Sequence, residues 1–318
     1  MPERVVYFNG TFVPESEARI SIFDSALWWA DMAFEVFRTY NSKPFAMRDH
    51  IERLYASLKL LEIDCGLSIE QMEAATLDTL QRNSPTEPRD VDWWVVHGVS
   101  RGPLEVYASV FKDGCRPTVC INCWPLIVHM GGFAPKYDTG LDLVIPAQHA
   151  LPAHLVDAKA KTRSRMHYQM ANLQAKRQGD GCLPILLDTD GFLTEGAGSN
   201  ILLVKDGVLL SPEPRNILRG VSRATTIQLA QELKIPVRET NLDRYDALVA
   251  DEIVCTSTSF SIVHARSFEG QAVGDGKMGP VTRRLVDAWK KHVGIDFVAQ
   301  AHDYAGRVAD WEKKQQKT

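Results

Sequence analysis

Long apolar runs are missing from this sequence: no stretch approaches the roughly 20 residues that cross a bilayer. The start, Met1-Pro2-Glu3-Arg4, lacks the apolar segment of a secretory signal, so the expected location is the cytoplasm. A basic excess is missing too. The 36 Lys and Arg face 40 Asp and Glu, a formal net charge of −4, which gives nucleic acid no footing. Cysteine is sparse, with six scattered along 318 residues. Cys120-Ile121-Asn122-Cys123 has the spacing of a metal or redox pair, but it lies in a strand-like stretch, Thr118 to Trp124. Strand alternation points its two sulfurs to opposite faces. No second pair completes a zinc site, so no metal is expected and the thiols read as structural, as in a reducing compartment. Internal repeats and low-complexity segments are absent as well.

What is present fits a globular protein of one large or two moderate domains, with 45% hydrophobic and 24% charged residues. Val5–Phe8 and Thr11–Val13 flank Asn9-Gly10, a strong hairpin signal. A strand over 34–40 turns through Asn41-Ser42-Lys43 into 44–47. Asp49 with Glu52 reads as a capping box, and Ile51, Leu54, Leu58 and Leu61 make an apolar helical stripe. Ser68 with Gln71 caps a second helix running to about Arg82. Strands follow over 93–99, 107–111 and 118–124. The expected division is an α+β domain over 1–124, a linker over 125–140 around Gly131-Gly132, Pro135 and Gly140, and a larger domain over 141–318. The last domain should hold strands at 141–145, 208–210, 253–256 and 261–265, and helices at 223–233 and 281–293. Its tail after Ile295 is polar, with fraying expected over 313–318.

The reading turns on residues 161–200. Lys161 opens a segment expected to be helical, with Met166, Met170 and Leu173 as its apolar stripe. The apolar run 183–187 ends at Asp188, and Asp190-Gly191 turns it back. The return strand, 192–194, delivers Glu195 into Glu195-Gly196-Ala197-Gly198-Ser199-Asn200, where backbone can approach a ligand closely. Taken alone, such a lysine is more often a solvated charge, and such a glutamate more often a turn residue.

Lys161, the loop at 195–200 and Arg219-Gly220-Val221-Ser222-Arg223 stand in the order and spacing of the class IV, fold-type IV pyridoxal-phosphate (PLP) aminotransferases, which the chain resembles from about Val6 to about Trp289. That group includes branched-chain and D-amino acid transaminases, (R)-amine transaminases and aminodeoxychorismate lyase. The resemblance implies a two-domain fold with a small N-terminal α+β domain and a larger C-terminal pseudo-barrel that binds PLP. It also implies a homodimer. Lys161 would hold the cofactor as a Schiff base and carry the proton between substrate and cofactor, with Lys159 as the competing lysine. Glu195 would face the pyridine nitrogen and keep it protonated. Val221 and Ser222, at a helix start, would hold the phosphate, with Thr258 as a second phosphate turn. Ser222 reads equally as a plain N-cap. Arg53, in His50-Ile51-Glu52-Arg53-Leu54, would add a bidentate phosphate contact. Tyr168, His167 and Met166 remain open as the neighbour of the cofactor's phenolic oxygen.

The substrate is the least determined part. D-Amino acid enzymes of this group clamp a carboxylate with Arg-x-His after an Arg-Gly pair, whereas here Arg101-Gly102 runs on into Pro103-Leu104-Glu105-Val106-Tyr107. Branched-chain enzymes carry Tyr-x-Arg on the preceding strand, whereas this chain has Trp93-Trp94-Val95-Val96-His97. Phe34, with Trp28 and Trp29 before it, suggests an apolar wall, and Ser259 is a second candidate at the substrate. The expected reaction moves an amino group from a hydrophobic (R)-amine or branched-chain L-amino acid to a 2-oxo acid. A D-amino acid transaminase, an aminodeoxychorismate lyase and a non-catalytic binding protein are the alternatives.

Overall fold

The structure, a computed structural model, describes residues 3–111 and 114–315. The chain divides into two compact units. The first comprises Met1–Ile127, Ala160–Ser164 and Ala309–Thr318, and the second Val128–Lys159 and Arg165–Val308. The expected linker at 125–140 carries two short helices, and the chain re-enters the first unit for five residues around Lys161.

In the first unit, β1 (Val5–Phe8) and β2 (Thr11–Pro14) form the Asn9-Gly10 hairpin, whose turn residues both have positive φ, 48° and 90°. Helix α1 (Ser25–Trp29) is capped by Asp24, which accepts from the Ala26 N–H. Strands β3 (Met32–Tyr40) and β4 (Lys43–Pro44) lead into α2 (Met47–Leu61) and α3 (Ile69–Asn83). Strands β5 (Trp93–Ser100) and β6 (Thr118–Pro125) complete an antiparallel sheet in the order β2-β1-β6-β5-β3-β4. The capping box at Ser68 and Gln71 is present, with both reciprocal bonds. The one expected at Asp49 is not. The chain enters α2 through Ala46 in the left-handed region, the helix starts at Met47, and Glu52 pairs with Arg48 at 2.8 Å. Residues 105–110 also depart from expectation, forming a 3-10 helix in place of a strand. Tyr107 there packs on the Phe23 ring at 4.7 Å and the Trp28 ring at 6.4 Å.

The core of this unit lies where α2 and α3 cover the sheet, with Phe37, Ile51, Leu54, Leu58, Met72, Val95 and Ile121 buried. Burial of each such side chain contributes about 1.5–3 kcal/mol. His97, opposite Glu35 on β5, is fully buried. Thr76 Oγ1 donates to the Met72 carbonyl, so its oxygen accepts from His97 Nε2 at 2.9 Å, and Nδ1 has no partner. Burial, opposed by Glu35, pushes the His97 pKa down to about 4. The unfolded chain takes up this proton below about 6.5 and the folded protein only near 4, so stability falls as pH drops through that window. His97→Gln should remove about 3 kcal/mol of that loss, read as a flatter melting temperature between pH 7 and 4. An unchanged slope would contradict it.

The second unit begins with α4 (Ile127–Phe133), whose first residue belongs to the first unit, and α5 (Pro135–Thr139). Strand β7 (Leu141–Val144), α6 (Met166–Gln178) and β8 (Cys182–Leu187) follow, with β7 parallel to β8. Then come β9 (Leu193–Gly196), β10 (Asn200–Lys205), β11 (Val208–Pro212), α7 (Val221–Glu232), β12 (Val237–Thr240), α8 (Arg244–Leu248), β13 (Glu252–Ser257), β14 (Ser261–Phe268), β15 (Gln271–Ala272) and α9 (Pro280–Val293). The sheet runs β12-β11-β10-β13-β14-β7-β8-β9, and β9 pairs back onto β10 to close a barrel. The closing pair is Glu195 with Asn200. The polar tail is helical, α10 (Phe297–Gln315), because Phe297, Ala301 and Tyr304 bury one face; residues 316–318 of the expected frayed end lie outside the described part.

Two expectations for α6 are corrected. The helix begins at Met166, so Lys161 lies five residues before it in extended chain. Its buried face is Tyr168, Ala171 and Ala175, while Met166 is 72% exposed and Met170 and Leu173 also face outward. All six cysteines are free thiols, and burial raises Cys120 to about 11 and Cys123 further. Among the described residues, no helix is long and apolar enough to cross a membrane.

Candidate active site

In the first unit the Lys161 backbone is pinned on both sides. Its N–H donates to Ser57 Oγ on α2 at 3.0 Å, and its carbonyl accepts from Phe34 N–H at 3.0 Å. The Arg163 N–H reaches the Met32 carbonyl at 2.8 Å, so residues 161–163 pair antiparallel with β3 through Ala33 and Thr162. Lys161 Nζ sits 4.8 Å from the centre of the Phe34 ring. Lys159 is engaged elsewhere, with its ammonium on Asp157 at 2.9 Å and the Arg215 carbonyl at 3.2 Å.

Arg53 is one turn before Ser57 on the same helix. Its guanidinium forms a two-pronged ion pair with Glu35, at 2.8 Å from Nε and 2.7 Å from Nη2. His50 Nδ1 lies 3.0 Å from the same carboxylate. Glu35 is wholly buried; burial pushes its pKa up, but Arg53 and His50 outweigh that and hold it well below the usual carboxylate range. Burial lowers His50 against the pull of Glu35. This carboxylate is absent from the expected site. The signal for it is a charged residue inside the apolar run 33–37.

Removing Arg53 strands a buried charge, which typically costs about 3–5 kcal/mol. Arg53→Ala should therefore lower the melting temperature, and adding Glu35→Gln to Arg53→Ala should recover much of it. A double variant no more stable than Arg53→Ala would contradict the stranded charge.

In the second unit Glu195 is buried and accepts hydrogen bonds on both oxygens. Tyr168 Oη donates to Oε1 at 2.6 Å; Asn200 Nδ2 and the Leu218 N–H donate to Oε2, both at 3.0 Å. Burial and then Glu195 push Tyr168 well above its usual pKa, so it remains a donor. The open choice among Tyr168, His167 and Met166 is narrowed only in that Tyr168 is tied to Glu195 and Met166 faces outward. Asn200, missed as a positioning residue, also donates to the Leu218 carbonyl at 3.0 Å. Its strand register continues to Thr256, placing the turn with Thr258 and Ser259 two residues on.

The start of α7 is bare backbone. The helix begins at Val221, not Arg223, and its N-cap is Gly220, with no side-chain cap; Ser222 is inside the first turn. A Cβ on Gly220 would lie 2.0 Å from Asn200 Oδ1, so only glycine lets this turn approach Asn200. The first N–H groups of a helix have no partner within it, and with the helix dipole they suit an anion.

The chain is 31% identical to a Salmonella typhimurium branched-chain-amino-acid aminotransferase, over 89% of this chain and 91% of that one. Its fold superposes on the Escherichia coli branched-chain amino acid aminotransferase with a TM-score of 0.81 and 29% identity, covering 91% and 94% of the two chains. The branched-chain aminotransferase of the archaeon Thermoproteus uzoniensis, solved with norvaline, gives 0.80 at 25% identity, covering 95% and 97%. The family model for amino-transferase class IV matches residues 32–268, and with that match the chain belongs to the class IV aminotransferases.

Proposed function

We propose that the protein transfers the amino group of a branched-chain L-amino acid to a 2-oxo acid. The observation that carries this choice over an (R)-amine donor is the similarity to branched-chain enzymes across about nine-tenths of the chain. Class IV aminotransferases use PLP, and the residues here suit it: an uncapped helix start for a phosphate, and a buried carboxylate for a ring nitrogen. When bound, PLP draws off the electrons left at the substrate Cα as its proton departs.

The chain's own groups divide the work. Lys161 would hold the cofactor's aldehyde carbon until the substrate's amine displaces it, and its freed amine would then move the Cα proton. Glu195, held by Tyr168, Asn200 and Leu218, keeps a proton on the pyridine nitrogen. Backbone N–H groups of Val221 and Ser222, with Thr258 and Arg53, take the phosphate. Phe34 and Ser259 contact the substrate, Phe34 favouring an apolar side chain at about 0.8 kcal/mol per buried methylene. Exposed Met166, Met170 and Leu173, with Trp28 and Trp29, support a homodimer, in which first-unit residues help to close the partner's site; an active monomer by sedimentation would contradict it. Free thiols throughout are in keeping with the cytoplasm.

Half-reactions with L-leucine, (R)-1-phenylethylamine and D-alanine test the substrate class. L-Leucine should react fastest. Fast reaction with D-alanine alone would contradict the proposal, and pyruvate formed without an acceptor would favour the lyase.

A further inference from the structure

Glu195 stands next to the end of a short hairpin. β9 and β10 close by pairing Glu195 with Asn200, and the Gly196 N–H donates to the Ser199 carbonyl at 2.8 Å, which leaves Ala197-Gly198 as the tip. Gly196 is packed tightly: a Cβ there would lie 2.8 Å from Ser199 Oγ and 3.1 Å from the Pro184 carbonyl. Ala197 rests on a small buried cluster of Ala150, Tyr168, Ala171 and Leu186.

Two side chains at the start of α6 reach this hairpin. Arg165 and Tyr168 are three residues apart, the spacing that brings side chains together on a helix. The Arg165 guanidinium donates to the Ala197 carbonyl at the tip, and its Cζ lies 4.3 Å over the centre of the Tyr168 ring. Tyr168 in turn donates to Glu195 Oε1 at 2.6 Å. Burial and Glu195 raise the Tyr168 pKa and Arg165 opposes them, so the cation is felt at the phenol.

Arg165 does nothing for its own helix. It is the N-cap residue of α6 and makes no side-chain cap bond, because a guanidinium has only donors where the helix start needs an acceptor. A cation there also opposes the helix dipole. Its two contacts both lead toward Glu195, one through the hairpin tip and one through the Tyr168 ring.

We infer that Arg165 is a positioning residue for Glu195, holding the hairpin tip and the Tyr168 ring so that carboxylate and phenol stay in register. The inference rests on the role of Glu195 at the pyridine nitrogen proposed above. Catalytic geometry is sensitive on this scale, since a displacement of about 1 Å can cost ~10²-fold in rate.

The test sets Arg165→Met and Arg165→Lys in both the wild-type and the Glu195→Gln backgrounds. In cofactor-free protein, Arg165→Met should speed hydrogen exchange of the Gly196 amide, which closes the hairpin, roughly 10-fold, the loss typical of one charge-assisted contact. In PLP-loaded protein, the single-turnover rate at saturating L-leucine should fall by a similar factor, with the half-saturating leucine concentration little changed. Arg165→Lys should recover part of both, because an ammonium can donate to one carbonyl but does not stack as a plane. In the Glu195→Gln background Arg165→Met should slow turnover no further, as expected for two residues that act as one unit. The same loss in both backgrounds, or unchanged Gly196 exchange, would overturn the assignment and leave the role of Glu195 intact. A Glu195→Gln variant as fast as wild type would overturn that role and the inference with it.

Discussion

Lys161→Ala is expected to give a folded protein from which borohydride recovers no covalently attached PLP and whose turnover falls by ~10⁴-fold or more. The size follows from two losses in one residue. A general acid–base group contributes ~10²–10⁴ in rate, and here the covalent anchor goes as well. The fold should tolerate the change, because the segment is held by backbone atoms that alanine retains: the N–H on Ser57 Oγ and the carbonyl on the Phe34 N–H. What is lost structurally is a cation resting near the Phe34 ring, worth about 0.5–1 kcal/mol. Lys159 is poorly placed to substitute, since its ammonium is on Asp157 and the Arg215 carbonyl. PLP still fixed by borohydride to the alanine variant would assign the anchor to another lysine.

Glu195→Gln should slow the half-reaction with L-leucine ~10²- to 10³-fold while PLP stays bound, an effect of the size general acid–base groups contribute. The surroundings make this a clean test of charge. The amide oxygen can keep the two bonds from Asn200 and Leu218, both made to one carboxylate oxygen. The amide nitrogen then faces Tyr168, whose hydroxyl can turn to accept where it now donates. Melting should therefore change little, and what disappears is the negative charge that keeps a proton on the ring nitrogen. Single-turnover kinetics equal to wild type would remove Glu195 from that role.

Much of the fold is legible in sequence where cause and effect are close together. The Asn9-Gly10 hairpin needs two residues tolerant of positive φ, and the box at Ser68 needs a partner three residues on. Glu35 is different, because what keeps it ionised lies 15 and 18 residues away on α2. Only the pairing of helix and strand brings His50 and Arg53 to it. On α6 the periodicity is sound but marks the wrong face. The buried residues are a tyrosine and two alanines, which carry little hydropathy, while the methionines at the same spacing face outward. At 105–110 a tyrosine and two valines imitate a strand, but the Tyr107 ring packs on Phe23 and Trp28, distant in sequence, and the segment joins no ladder. The order of Lys161, Glu195 and Gly220-Val221-Ser222 is readable because each lies in, or within two residues of, a connection between elements, where residue type follows the turn. Asn200, which ties Glu195 to Leu218 and crowds Gly220, shows its importance only once β9 closes on β10.

A chain that holds PLP and takes an amino group from a branched-chain L-amino acid reports both in its visible spectrum. The most direct measurement is the absorbance of the PLP-loaded protein during addition of L-leucine with no acceptor present, followed by 4-methyl-2-oxopentanoate. The protein should be yellow, lose its colour with leucine and regain it with the oxo acid. A protein that takes up no PLP, or whose colour leucine leaves unchanged, would contradict it.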